Sequence, residues 1–343
     1  MSAVLDVDPL DGAATRAELA DTAAWIAARQ RPSGMIAWFD GGHCDPWNHV
    51  ETAMALDVMG RHDAATRAYR WLADVQRADG AWHNYYAWDG AVEDAKLDSN
   101  VCAYLGTGLW HHHLCTGDDA FARGMWPTLE RAVAWVLGMR RPDGTVLWAR
   151  EADATPWDYA LLTGSCSIRH ALDSAASLGD ALGTPRPAWR AAAAAIDAVV
   201  AGGGDAFEPK DRWAMDWYYP VLTGAVRGDA AKARLAERWD AFVLDGLGVR
   251  CVADERWVTA SETAECAIAH AAIGDVDTAR ALLRTTRRHR DADGGYLTGI
   301  AYPQRVAFPA DERTAYTAAA VILAADAIGG LSPASRVFRY DAR

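Results

Sequence analysis

RAYRWLADVQRADGAW, Arg67 to Trp82, reads as a helix followed by an abrupt stop. Its apolar residues recur at helical spacing up to Trp71 and Leu72, and the run then closes on Arg77, Asp79 and Gly80. Cations suit the negative end of a helix dipole, and glycine suits the left-handed residue that ends one. The same phrase returns as AAWIAARQRPSG (Ala23 to Gly34) and RAVAWVLGMRRPDG (Arg131 to Gly144). Trp25, Trp71, Trp135, Trp189 and Trp239 each sit in an Ala/Leu/Val-rich helical stretch, at intervals of about 50 residues. A tryptophan recurring on otherwise unlike helices points to stacked repeats that each bury the same wall position.

Working outward, the periodicity predicts two alternating sets of helices and no convincing strand. One set falls near 14–30, 62–77, 119–139, 187–202, 228–243 and 275–289, the other near 46–59, 96–115, 158–182, 213–226, 257–273 and 311–328. Twelve helices pair into six hairpins, so the expected fold is all-α, an (α/α)6 toroid. No linker-like shift in composition divides the chain, and 1–343 is expected to be one domain with loose ends at 1–13 and 332–343.

Composition narrows the partners. With 34 Lys and Arg against 46 Asp and Glu the net charge is −12, which argues against nucleic acid. The N-terminal segment is acidic where a signal peptide needs a basic start, and no run is long and apolar enough to span a membrane, so a cytoplasmic location is expected. Six cysteines lack paired spacing and read as reduced thiols. His111, His112, His113 and Cys115 invite a metal reading, but consecutive helical residues point in different directions. No metal and no cofactor is expected.

The connections are unequal. Those leading into the second helix set are long and carry Trp38, Asp45 and Trp47, then Trp88, then Trp148 and Arg150. They continue with Trp217 and Tyr218, then Trp257, and finally Glu312 and Arg313. The remaining connections are short, so an up-and-down toroid gathers every long loop on one face. That face is expected to be a cup of indoles, carboxylates and guanidinium groups. Such a lining suits a polyhydroxylated ligand, because indoles stack on sugar C–H faces while carboxylates and Arg take the hydroxyls. The expected substrate is therefore a small molecule or an oligosaccharide.

Two family resemblances enter here. The Arg67–Trp82 phrase, with Gln76, Gly80 and Trp82 in place, resembles the QW motif of the squalene-cyclase and prenyltransferase repeat families. More of the chain, from HCDPWNHVETAMALDVMG (43–60) through AMDWYYPVL (214–222) to WVTASETAECAIAHAAIGDVDTARALL (257–283), resembles the glucoamylase-like six-hairpin glycoside hydrolases. That likeness implies carboxylate acid/base chemistry, yet neither family carboxylate is matched. Ala149 follows Trp148 where the general acid should stand, with Glu151 nearest, and GGYLTG (294–299) replaces the loop holding the base. The Asp-rich word of class II terpene cyclases is also missing, EDAKLD (93–98) being the nearest stretch.

The chemistry must then come from other residues. Glycoside cleavage needs one protonated and one ionised carboxyl group across the scissile bond. Asp216, flanked by Trp213, Trp217 and Tyr218, is the candidate acid, since burial among aromatics favours the neutral carboxyl. Its bland alternative is an ion pair with Arg212 or another cation. Glu262 reads either as the general base or as a capping-box acid with Thr259 and Ser261. Glu51 falls about where the glucoamylase-like family has a substrate-binding Asp, and hydroxyl binding is expected of it. A prenyltransferase or terpenoid cyclase, and a sugar-binding toroid without catalysis, remain the alternatives.

Overall fold

A computed structural model describes residues 10–340. Its helices are α1 (Arg16–Ala27), α2 (Pro46–Val58), α3 (His62–Val75), α4 (Ser99–Ala103), α5 (Leu105–Thr116), α6 (Asp119–Leu137) and α7 (Leu162–Ala181). They continue as α8 (Pro187–Gly202), α9 (Ala214–Leu222), α10 (Gly228–Glu237), α11 (Trp239–Phe242), α12 (Ala260–Ala272), α13 (Val276–Thr285) and α14 (Ala315–Gly329). Helices α2, α5, α7, α9, α12 and α14 each pack on the next, and α14 packs back on α2, closing an inner ring. Helices α1, α3, α6, α8, α10 and α13 pack outside it. This is the (α/α)6 toroid.

The tryptophan phrase explains how the outer ring is spaced. In each copy the glycine after the basic run lies against the backbone of the next outer helix. A Cβ on Gly34 would stand 2.2 Å from the Arg67 carbonyl oxygen on α3, and one on Gly80 would stand 2.4 Å from that of Arg131 on α6. Both have φ near +100°, at 100° and 97°, a conformation that side chains resist. The preceding glutamine completes the joint. Gln30 Nε2 donates to the carbonyls of Gly34 and Ala64, and Gln76 Nε2 to those of Gly80 and Thr128. Gly294, in a related phrase after α13, approaches Asp21 of α1, so the same joint closes the ring.

The sequence placed these helices well and missed two interruptions. The stretch 96–115 breaks between α4 and α5, and 228–243 breaks between α10 and α11. Short strands of two or three residues, invisible as a pattern, edge the long loops. They and single backbone bonds stitch the loops into a continuous rim. Cys44 bridges Tyr86, Leu97–Asp98 pairs with Ala149–Arg150, and Glu208 N donates to Ala160 O. Trp213 bridges Val252, Trp257–Thr259 pairs with Gly299–Ala301, and Ala315 N donates to Trp38 O. All six long loops therefore lie on one face, above the N-termini of the inner helices.

Part of each expected loose end lies outside the described residues, and the described part is packed. Leu10 and Phe338 belong to the core, and Phe338 stacks on His170 of α7 at 5.0 Å. Among the described residues no helix is long and apolar enough to cross a membrane. The His111–Cys115 run diverges as its spacing implies: His112 Nδ1 meets Asp57 at 2.8 Å, His113 faces Asp119, and His111 lies 3.8 Å from the Cys115 sulfur.

Candidate active site

The inner helices carry the cup's polar groups in two tiers. Asp45 is the N-cap of α2 and Asp98 that of α4, while Asp216 and Glu262 are the third residues of α9 and α12. Glu51 and Glu265 lie three residues deeper than the third positions, about 4.5 Å further along the helix axis.

In the upper tier each acid is held by a neighbour. Asp45 accepts from the Trp38 indole at 2.7 Å, from the Asn48 amide side chain at 2.7 Å and from Asn48 N at 2.9 Å. Asp98 accepts from the Trp148 indole at 2.5 Å and from the backbone of Asn100 and Val101. Burial pushes both carboxyls above their ordinary range despite these donors. Asp216 accepts from the Thr163 hydroxyl at 2.5 Å, across from α7. Burial raises its pKa as well, the Thr163 bond and the charges of Arg234 and Lys210 opposing the shift. Arg212 pairs with Asp254 instead, so that alternative partner is elsewhere.

Glu262 sits in a cage of hydroxyls, accepting from Thr259 Oγ1 and from Ser261 Oγ, the latter at 2.7 Å. This is not a capping box, because the Thr259 side chain accepts no backbone N–H of α12 and instead donates to the Glu262 carboxylate. The Tyr316 phenol of α14 has its pKa raised by burial first, the charges of Glu262, Glu312 and Asp45 adding to the rise. Glu312 accepts from Thr298 at 2.9 Å.

The lower tier is a buried acid and phenol cluster. Tyr104 donates to Glu51 at 3.2 Å, and Tyr218 donates to Glu265. Glu51 and Glu265 are 6% and 7% exposed. Burial lifts Glu51 to about 8, and it lifts Glu265 too, with the Glu51 charge adding to the rise. Trp47 roofs the cluster, its ring edge-on to Tyr104 at 5.4 Å and Tyr219 at 6.2 Å. The buried Trp47 Nε1 has no hydrogen-bond partner among the described residues.

A cavity of 410 Å³ opens beside this roof, bounded among others by Trp47, Trp148, Trp213 and Asp216. Trp148 forms its aromatic wall, stacked on Tyr159 at 5.5 Å with Lys96 Nζ 4.4 Å above the ring. Other expected lining residues are turned to structural tasks. Trp217 is 1% exposed, donates to the Arg234 carbonyl at 2.8 Å and stacks on Phe242. Tyr218 is wholly buried and serves Glu265. Arg313 is turned to Asp291 and Asp293 at 3.0 and 2.9 Å. Trp88 lies under the Arg31 guanidinium at 4.3 Å, Arg150 is held in the strand pair with Leu97, and Trp257 donates to the Phe308 carbonyl at 2.8 Å. Sequence reasoning passed over Tyr104, Thr163, Tyr219 and Tyr316. AMDWYYPVL did advertise Tyr219, whereas Thr163 became visible only once α7 and α9 were neighbours.

A six-hairpin toroid with a carboxylate and indole cup defines the chain as a carbohydrate-active enzyme of the glycoside hydrolase kind. No protein-family model matches it. The chain is 46% identical to the MMP endo-(1,4)-3-O-methyl-alpha-D-mannosidase of Mycolicibacterium hassiacum over 336 residues, which is 98% of this chain and 93% of that protein. It belongs to that glycosidase family. A solved wild-type glycosidase shares the fold at a TM-score of 0.73 and 17% identity, covering 96% of this chain and 100% of its own. A shorter stretch of 83 residues, 22% of this chain and 15% of that protein, is 32% identical to the ent-copalyl diphosphate synthase of a Streptomyces species.

Proposed function

We propose that the protein is an endo-acting hydrolase of α-(1,4)-linked, 3-O-methylated mannose oligosaccharides. The near full-length identity to an enzyme named for that activity carries the reading. The cup supports it, since it offers both carboxylates and apolar walls. Glu262 takes the proton of the water that adds to the anomeric carbon, and Asp216 gives its proton to the departing glycosidic oxygen. Asp216 suits the acid because its raised pKa keeps the carboxyl protonated further toward neutrality. Glu51 and Asp45 hold the substrate, and neither a metal nor a cofactor takes part. A second reading places the acid at Asp45, favoured because the Trp38 indole that bonds Asp45 packs on Tyr316 at 4.9 Å, the phenol that also feels the Glu262 charge. Six free cysteines, five of them buried, agree with a reducing cytoplasm. Turnover of a methylmannan oligosaccharide by Asp216→Asn, Asp45→Asn and Glu262→Gln separates the readings: loss in Glu262→Gln together with one Asp variant names the pair, and activity in all three removes the carboxylate mechanism.

A further inference from the structure

We infer that the 410 Å³ cavity beside Asp216 is the subsite that receives an O-methyl group of the substrate, with Leu161, Trp213 and Met215 selecting methyl ether over hydroxyl. The inference rests on the proposed methylmannoside substrate and goes beyond it by locating the selectivity.

The chemistry of the walls carries the argument. Trp47, Trp148, Tyr159, Leu161, Trp213 and Met215 give the cavity a mostly hydrocarbon and indole surface. Two polar side chains on the same boundary are engaged within the protein, while Trp47 Nε1 and Asn100 Oδ1, without a partner among the described residues, remain for the oxygens of the sugar itself. The Trp148 indole is bonded to Asp98, and the Thr163 hydroxyl to Asp216. A sugar hydroxyl pressed against the Leu161 and Met215 side chains would lose its water without gaining a partner from them, whereas a methyl ether has no proton to satisfy. Trp213 is 44% exposed, one of few large apolar side chains left open to solvent among the described residues, and it stands at this cavity. An apolar group at a cavity edge is what a methylated ring would cover. Because Asp216 bounds the same space, a methylated ring held there lies next to the proposed acid, and the preference is expressed in turnover as well as in binding.

The test compares kcat/KM for two α-(1,4)-mannose oligosaccharides of equal length, one 3-O-methylated and one not, in wild type and in Trp213→Ala and Met215→Gln. One methyl in a fitted apolar pocket is worth about 10- to 200-fold. The wild type is expected to prefer the methylated substrate by at least about tenfold, and each variant to cut that ratio several-fold. Trp213 is half in solvent, so its removal leaves the fold intact and keeps the comparison valid should Met215→Gln misfold. An unchanged ratio in Trp213→Ala and in any folded Met215→Gln, or a wild type that cleaves both substrates equally, overturns the subsite while leaving the mannosidase reading in place. A wild type that cleaves neither overturns both.

Discussion

The hydroxyl of Thr163 on α7 donates to Oδ1 of Asp216 on α9 at 2.5 Å, so two neighbouring inner helices jointly set the protonation of one carboxyl. That bond favours the ionised form and opposes the rise caused by burial. Thr163→Val should therefore raise the pKa of Asp216 further. A general acid loses activity as pH climbs through its pKa, so the alkaline limb of the kcat/KM profile should move to higher pH in this variant. A limb that moves down, or stays in place, separates Asp216 from the acid role.

Asp216→Asn and Glu262→Gln should each reduce kcat by at least about a hundredfold, the scale set by a positioned acid or base. Both side chains are partly exposed, and unfolding midpoints should stay within a few degrees of wild type. Equal losses of activity and folding would assign the two residues to the scaffold instead.

The lower tier makes stability depend on pH. Glu51 and Glu265 have folded pKa values above their unfolded ones, so the native state favours their neutral forms. Their contribution is complete below the unfolded value of 4.5 and is lost as pH rises through the folded value, about 8 for Glu51. Urea unfolding should show the wild type losing more stability between pH 5 and pH 8 than Glu51→Gln does. A larger loss in the variant would contradict a protonated Glu51.

Tyr218→Phe removes the phenol that donates to buried Glu265. Leaving that carboxyl without its donor should cost about 1–3 kcal/mol, read by chemical denaturation. No loss would mean that Glu265 is satisfied by other groups.

Gly80→Ala probes the repeat joint. The added Cβ meets the Arg131 carbonyl oxygen at 2.4 Å, at a φ of +97°. Destabilisation should exceed about 1 kcal/mol, because both the approach and the backbone conformation exclude a side chain. A neutral outcome would show that α3 and α6 can separate without cost.

The ring of hairpins was legible because its signal is local. Trp71, Gln76 and Gly80 lie within one phrase, and the same phrase stops three of the outer helices. The cup was legible as a face, since long loops alternate with short ones, and Asp45, Asp216 and Glu262 could be placed at helix starts from sequence. Which way a side chain turns was not. Trp217 and Tyr218 follow Asp216 directly, yet one faces Phe242 and the other Glu265. Successive helical residues are rotated by about 100°, so an aromatic run spreads over cup, wall and core alike. Arg313 was expected in the cup for its charge, and the paired acids Asp291 and Asp293, which draw it away, lie some 20 residues earlier in the same loop.

Internal cleavage of a methylated mannan is tested most directly by one digestion. An α-(1,4)-linked 3-O-methylmannose oligosaccharide, labelled at its reducing end, is incubated with the purified protein and its products are sized by mass spectrometry. Labelled fragments of intermediate length, absent with Glu262→Gln, are the predicted result. An intact substrate, or release of single sugars only, would contradict the account.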